Sequence, residues 1–110
     1  MGKFVISKRK NGEFQFNLLA GNGQVVLTSE GYASKPSCMN GVKSVMKNAT
    51  ELKRFEEKVA KNGKYHFNLK ASNGQVIGSS EMYDSQESCK NGITSVKKNA
   101  PGAKVEDQTK

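Results

Sequence analysis

The chain has few of the residues from which catalytic and metal sites are usually built. It has one histidine, His66, and two cysteines, Cys38 and Cys89, that are not part of a CxxC motif. It also has no apolar run of about 18 residues, and its start lacks the apolar stretch and cleavage site of a signal peptide. We therefore expect no metal or other cofactor, no membrane span and a cytoplasmic location.

Acidic residues are also scarce. The chain has 10 Asp and Glu against 18 Lys and Arg, which gives a formal net charge of +8. The basic residues are almost all lysines, since Arg9 and Arg54 are the only arginines. Lysine attracts polyanions as a point charge but does not read base edges in the bidentate way that arginine does. The charge thus favours generic attraction over sequence-specific recognition.

The chain does contain an internal duplication. The segment Asn11–Ala49 returns as Asn62–Ala100 without a gap, and every equivalent pair is separated by 51 positions. One copy lies near the lower size limit for independent folding, so the two copies are expected to share a core. We predict a single domain over residues 1–110, made of two intertwined repeats at about 1–50 and 51–110.

Each copy carries the pattern of a three-stranded meander. Apolar and polar residues alternate, which is the period of a sheet with one buried face. Asn-Gly pairs at 22–23 and 73–74 predict type I′ hairpin turns. The predicted strands are Phe4–Lys8, Phe14–Leu18 and Gln24–Ser29 in the first copy, and Phe55–Val59, Tyr65–Leu69 and Gln75–Ser80 in the second. The tail Ala103–Asp107 aligns with the start of the segment that joins the copies, and predicts a last short strand.

A helix follows each meander, with Ser34 or Ser85 as its N-cap. Cys38 and Cys89 lie on the apolar stripe of these helices, so core packing is favoured over a disulfide near a pseudo-twofold axis. A mid-helix glycine costs about 1 kcal/mol relative to alanine. Its repetition at Gly41 and Gly92 predicts that each helix approaches the sheet, or the other helix, too closely to admit a β-carbon.

These motifs together resemble the YegP-like family of small bacterial proteins. The resemblance implies an α+β fold: a duplicated unit of three strands, helix and strand, forming one antiparallel sheet with both helices on one face and the C-terminal strands exchanged between copies. It also implies a monomer, because the second copy fills the place of a partner. It transfers no catalytic residue. The matching residues include the Phe-Asn-Leu runs at 16–18 and 67–69 and, in the helices, Cys38, Gly41, Asn48, Cys89, Gly92 and Asn99.

Two other repeated features have a functional and a structural interpretation. Ser29-Glu30 with Tyr32 and Ser34, repeated 51 positions later, could form symmetric sites, or could end a strand and cap a helix. The Gly21–Gly23 loop could cradle a phosphate, but it joins two strands and is better explained as a hairpin. No catalytic constellation is evident, and a small-molecule site between the halves has no identifiable ligand.

The sequence therefore predicts a non-enzymatic binding or accessory module. The leading hypothesis is a protein partner that binds the sheet edge by strand addition, or the sheet face. The side chains expected on that face are Gln15, Asn17, Gln24, Asn68 and Gln75. The alternative is nonspecific nucleic-acid binding by a lysine surface. Its candidate contacts are Lys43, Lys47, Lys90, Lys97 and Lys98.

Overall fold

The computed structural model describes residues 2–109 and shows seven strands in one sheet, on which two helices pack. Within that range, neither helix is long and apolar enough to cross a membrane. The strands are β1 (Lys3–Lys8), β2 (Phe14–Leu19), β3 (Val25–Thr28), β4 (Phe55–Val59), β5 (Tyr65–Lys70), β6 (Val76–Ser79) and β7 (Lys104–Asp107). The helices are α1 (Lys35–Asn48) and α2 (Gln86–Asn99), and a short 3-10 turn covers Leu52–Arg54.

The strand order is β4-β5-β6-β3-β2-β1-β7, so the two copies meet at the centre of the sheet. They are joined there by the pairing of β3 with β6 at Thr28 and Ser79. Each helix packs on its own meander and also reaches strands of the other copy: α1 contacts β5 and β6, and α2 contacts β2 and β3. The halves therefore share one core, as their small size requires.

The core forms from alternate strand residues and one stripe of each helix. Phe16 and Leu18 of β2, like Phe67 and Leu69 of β5, are fully buried. Burying such side chains stabilises the fold by about 1.5–3 kcal/mol each. The helix residues in the same core are Cys38, Val42, Val45, Ala49, Cys89, Ile93, Val96 and Ala100.

One pair at the centre of the sheet breaks the repeat. Leu27 of β3 is equivalent to Gly78 of β6, and a β-carbon at Gly78 would lie 2.8 Å from Leu27 Cγ. Leu27 itself is fully buried. Leucine in one copy therefore fits because the other copy has glycine, and the two copies could not both carry leucine here without repacking.

The hairpin turns differ from the predicted type I′. Asn22 does not have a positive φ, whereas Gly23 does, at 85°. Gly23 N–H donates to Ala20 C=O at 2.9 Å, and Ala20 N–H donates to Gln24 C=O at 2.8 Å. This is a three-residue loop in which a type I turn is followed by a left-handed glycine. Asn22 contributes its side chain, which accepts from Gln24 N–H at 3.0 Å.

The sheet is mixed, which corrects the prediction of a wholly antiparallel one. β7 runs parallel to β1, from Lys3 opposite Lys104 to Ile6 opposite Asp107. The C-terminal strand of the second copy thus completes the first copy, as the family resemblance implies. The equivalent segment of the first copy is not exchanged in this way, because it forms the 3-10 turn and the beginning of β4.

Candidate functional site

The serines of the repeated Ser-Glu-x-Tyr cluster make structural hydrogen bonds. Ser29 is buried, and its hydroxyl accepts from Phe16 N–H at 2.9 Å and donates to Glu30 C=O at 2.8 Å. Ser34 caps α1 by accepting from Ser37 N–H at 3.2 Å. Ser80 and Ser85 make the same contacts in the second copy. Because each hydroxyl already has its partners, the structural interpretation of this cluster is the better one.

The repeat-signature residues also lie at packed positions. Cys38 and Cys89 are fully buried free thiols. Burial raises the pKa of both thiols, and the nearby carboxylates of Asp107 and Glu57 raise it further. A buried thiol with a raised pKa is a poor nucleophile. The buried Asn48 donates to Ser44 C=O at 2.9 Å, and Asn99 donates to Ser95 C=O at 2.8 Å.

Gly41 and Gly92 do lie at close approaches, and their neighbour is an aromatic ring. A β-carbon at Gly41 would lie 2.8 Å from Tyr32 Cζ and 3.0 Å from Phe16 Cε2. Tyr32 is stacked on Phe16 at 6.3 Å between ring centroids, so it cannot move freely. Gly92 and Tyr83 repeat the arrangement. Each glycine therefore makes room for a tyrosine between the helix and the sheet.

The candidate lysines do not form one cluster. Lys43 and Lys47 line a shallow cleft of about 320 Å³ between α1 and the turn that contains Asn73. Lys90 lies elsewhere, 3.6 Å from the carboxylate of Glu57. Lys97 and Lys98 are in the last turn of α2. The structure thus separates Lys90 from the other candidates by giving it an acidic partner.

The outer face of the sheet is occupied by polar side chains that bond to one another. Ser79 Oγ lies 2.8 Å from Asn68 Oδ1, and Arg9 donates to Gln15 Oε1 at 2.7 Å. Gln24 lies in an exposed loop and not on this face. Because of these hydrogen bonds, the face offers fewer free donors and acceptors to a partner than its composition indicates. Among residues 2–109, no three His, Cys, Asp or Glu side chains come together as a metal site.

The equivalent strands β1 and β4 are flanked differently, and this difference defines the candidate site. β7 covers β1, where Phe4 and Ile6 are fully buried. Two ion pairs fix β7 in place: Lys3 with Glu106 at 3.1 Å and Lys35 with Asp107 at 2.9 Å. β7 is thus one edge of the sheet, and β4 is the other. No strand of the described chain covers β4, whose open side, along Phe55–Val59, we call the β4 edge.

Phe55 of the β4 edge is half-buried and Glu57 is exposed, whereas the equivalent residues of β1, Phe4 and Ile6, are buried. Val59 is 65% exposed, and Leu52 of the 3-10 turn is 63% exposed, whereas its equivalent Ala103 is 7% exposed. Under this edge is a cleft of about 270 Å³. Exposed apolar residues beside an unpaired strand are typical of a surface that receives another chain. The cleft is lined by Leu52, Phe55, Glu57, Lys90 and Ile93.

The backbone groups of Glu57 point away from the sheet. Glu57 is opposite Phe67 in β5, and Phe67 bonds to Ser80 on its other side, where its C=O accepts from Ser80 N–H and its N–H donates to Ser80 Oγ. In an antiparallel pair, the residue opposite must then direct its N–H and C=O outward. The equivalent residue Ile6 uses its C=O to accept from Gln108 N–H at 2.9 Å. At Glu57 the same groups have no strand of residues 2–109 to pair with.

Charge also distinguishes this edge. Val5 and Ile6 of β1 are replaced at the equivalent positions by Glu56 and Glu57. Glu56 contacts Lys70 at 3.1 Å and Lys58 at 3.6 Å, and these lysines hold the pKa of its carboxyl below the usual range. Neither glutamate was among the site residues predicted from the sequence. Their signal was present in the aligned repeats, as two apolar residues of one copy that become acidic in the other.

The duplicated three-strand, helix and strand unit places the chain in the class of tandem-repeat α+β proteins with one mixed sheet. The family described as "Domain of unknown function (DUF1508)" matches it twice, at residues 10–56 and 60–107. The UPF0339 protein YegP of Escherichia coli strain K12 is 49% identical over 98% of both chains. The chain belongs to this UPF0339/YegP family, with two DUF1508 repeats.

Other relatives agree with this assignment. A UPF0339 protein from the ptx operon 5′ region of Stutzerimonas stutzeri is 53% identical over 94% of both chains. The solution NMR structure of YegP from E. coli, a protein of unknown function, superposes with a TM-score of 0.93, at 48% identity over 97% of this chain and 92% of that one. The solution NMR structure of a UPF0339 protein from Shewanella oneidensis superposes with a TM-score of 0.91, at 47% identity over 96% of this chain and 90% of that one.

Proposed function

We propose that this protein is a binding module, without catalytic activity of its own, that receives an extended segment of a protein partner along the β4 edge. The observation that carries the proposal is that the equivalent strands β1 and β4 are flanked differently. β7 demonstrates strand addition on β1, and the equivalent place beside β4 has no strand among the described residues. Strand addition to an exposed edge is a common mode of peptide recognition, in which main-chain hydrogen bonds give affinity.

The edge is a better candidate than the outer face of the sheet. On the face, polar side chains such as Asn68 and Ser79 bond to each other. At the edge, the outward-directed groups of Glu57 lie beside a cleft whose lining includes the apolar side chains of Leu52, Phe55 and Ile93. A partner strand would therefore gain both hydrogen bonds and apolar burial at the edge.

A proline at position 57 tests this proposal. The N–H of Glu57 is not used by β5, so Glu57→Pro should leave most of the fold stability intact while it blocks strand addition. Short random peptides would be displayed and selected on the immobilised protein. Selected peptides are expected to bind the wild type and Glu57→Gln, and to lose at least tenfold in affinity for Glu57→Pro, with folding checked by circular dichroism.

Two results would contradict the proposal. One is that no peptide is selected, and the other is that the selected peptides bind Glu57→Pro as well as they bind the wild type. Lys58→Pro provides a structural control. Because the N–H of Lys58 is on the β5 side of the strand, this variant is expected to lose stability, which Glu57→Pro should not.

A second candidate function is nonspecific binding of nucleic acid. The observation that favours it is the cleft where Lys43 and Lys47 lie beside the amides of Asn40 and Asn73. No acidic residue of the described chain lies within ion-pair distance of these two lysines, in contrast to Lys90. Lysines and amides arranged in this way suit phosphate groups without base readout.

A further inference from the structure

We propose that the partner at the β4 edge is a second copy of this chain, whose β4 pairs antiparallel with the first so that the two sheets join into one. This inference rests on the proposed function, since it names what occupies the same edge. It is carried by the self-complementarity of the strand, whose sequence from residue 55 to 59 is Phe-Glu-Glu-Lys-Val.

Backbone geometry sets the register. Glu57 directs its N–H and C=O to the open edge, and by alternation Val59 does so too. The N–H of Phe55 is already donated to Leu52 C=O, but the carbonyl of Phe55 is available. An antiparallel pair centred on Glu57 therefore lets the two Glu57 residues exchange hydrogen bonds and lets Val59 N–H of each copy donate to Phe55 C=O of the other.

The same register makes the outer-face charges complementary. With Glu57 at the twofold axis, Glu56 of each copy lies directly opposite Lys58 of the other. Opposite charges facing each other across neighbouring strands stabilise a sheet, and like charges destabilise it. Shifting the register by one residue would place side chains on the wrong face of the sheet. The charge pattern thus selects the same alignment as the backbone.

The helix-side residues also match in this register. Val59 of one copy faces Phe55 of the other, beside the cleft that Leu52 and Ile93 line. Val59 and Leu52 are the two most exposed large hydrophobic residues of the described chain, at 65% and 63%. Pairing two copies would cover both of them. Each copy would fill the cleft of the other, as a twofold interface requires.

The two Glu57 carboxylates would face each other on the helix side. Each has Lys90 of its own α2 at 3.6 Å. Because each Glu57 keeps its own Lys90, two acids and two bases would meet there, and not two acids alone. The edge strand is only five residues long, so the interface is smaller than that of a stable complex. We expect a weak dimer with a Kd of roughly 0.1–1 mM, so that the dilute protein is the monomer that the family resemblance implies and dimers form only at high concentration.

Parallel addition of β7 from a second copy is a worse match. By equivalence with β1, it would place Glu106 opposite Glu56 and Asp107 opposite Glu57, so acids would face acids. The 3-10 turn also lies where β7 would have to begin. The β4 edge is thus built to exclude the strand that fits β1, which limits open-ended exchange between copies.

Sedimentation equilibrium of the full chain tests the dimer, with a ¹⁵N–¹H dilution series to locate it. Concentration-dependent shifts are expected in Phe55–Val59. Glu56→Lys or Lys58→Glu alone places like charges opposite each other twice, so each should weaken dimerisation about fivefold to tenfold at low salt. The double variant restores both pairs with the signs exchanged, and should return the affinity to within about twofold of the wild type.

Glu30→Lys and Lys10→Glu provide matched controls, since they make the same charge changes at exposed positions away from the edge, and should not alter dimerisation beyond the effect of net charge. A chain that stays monomeric, shifts that map elsewhere, or a double variant that is not rescued would each overturn the inference. A monomer that nevertheless binds selected peptides in a Glu57→Pro-sensitive way would leave the proposed function standing. A monomer that binds none would remove both.

Discussion

At the residue scale, the two mid-helix glycines show how a local cost is offset by packing. Gly41 lowers the intrinsic helix propensity of α1. Because it has no β-carbon, the ring of Tyr32 fits between α1 and β2, where it is stacked on Phe16. Burial raises the pKa of the Tyr32 hydroxyl, and nearby Cys38 and Glu30 raise it further. The ring is therefore held as a neutral, mostly apolar packing element. The same arrangement at Gly92 and Tyr83 explains why the glycine is repeated.

Replacing Gly41 by valine should be clearly destabilising. The new side chain would overlap the Tyr32 ring, and overpacking with a β-branched residue in a helix should cost about 2–4 kcal/mol. Urea unfolding at equilibrium measures this. Asn40→Val is the control, because it puts the same side chain on the exposed neighbouring position, and should change stability by no more than about 0.5 kcal/mol. Equal stability of the two variants would show that the close approach is not important.

At the element scale, the segment that follows each helix forms a different structure in the two copies. After α2 the chain continues as β7 and covers β1. After α1 the equivalent residues turn through Leu52–Arg54 and enter β4, because the chain must go on to build the second meander. The linker thus uses the residues that would have covered the β4 edge. This difference, and not a difference in the meanders, produces the open edge.

The docking of β7 should depend on acid pH through Asp107. Hydrogen bonds from Thr109 and then from Lys35 hold the pKa of this carboxyl well below its usual value. A lowered pKa in the folded state means that the stabilisation is present above about pH 4, the unfolded pKa, and is lost as the pH falls through the folded value. Thermal unfolding between about pH 2 and 6 should show this loss, and Asp107→Asn should reduce it. Glu30→Gln, exposed and remote, should keep the wild-type profile. An unchanged profile for Asp107→Asn would contradict the assignment.

Much of the fold could be predicted from the sequence, because strand alternation and helix spacing are local patterns. The bounds of β4 and the two caps agree with the predictions. The direction of β7 could not be read from its own residues, since parallel and antiparallel edge strands look alike over so short a length. The packing of Leu27 against Gly78 could likewise not be predicted, because it depends on which strands are neighbours at the centre of the sheet.

The candidate site was less predictable than the fold. Glu56 and Glu57 look like ordinary surface charges until the position of β4 at the edge is known. The sequence did predict the sheet edge as a binding surface, but the residues it indicated were the neutral polar ones of the face. Those residues proved to be partly engaged with each other, as Asn68 and Ser79 are. Only the tertiary arrangement separates the occupied positions from the open ones.

At the scale of the whole molecule, the net charge of +8 comes from lysines of which only some, such as Lys90, have an acidic partner. Changing Lys43, Lys47, Lys97 and Lys98 together to Gln tests the nucleic-acid alternative. If the helix surface binds phosphates, the salt slope of binding should flatten by about one for each lysine–phosphate pair removed, as fluorescence anisotropy would show. Changing Lys10, Lys53, Lys61 and Lys104 to Gln removes the same charge at exposed positions elsewhere. Equal effects of the two sets would mean that only net charge matters.

The central claim is that β1 is covered by an added strand, β7, whereas its equivalent β4 has no such strand among the described residues, and residue-resolved amide hydrogen exchange tests this most directly. Ile6 and Glu57 are equivalent positions whose backbone groups both face outward from their meander. In dilute protein, the Ile6 amide should be protected by β7, and the Glu57 amide should exchange at least about a hundredfold faster. Protection of Glu57 equal to that of Ile6 would show that the β4 edge is already covered, and would contradict the account.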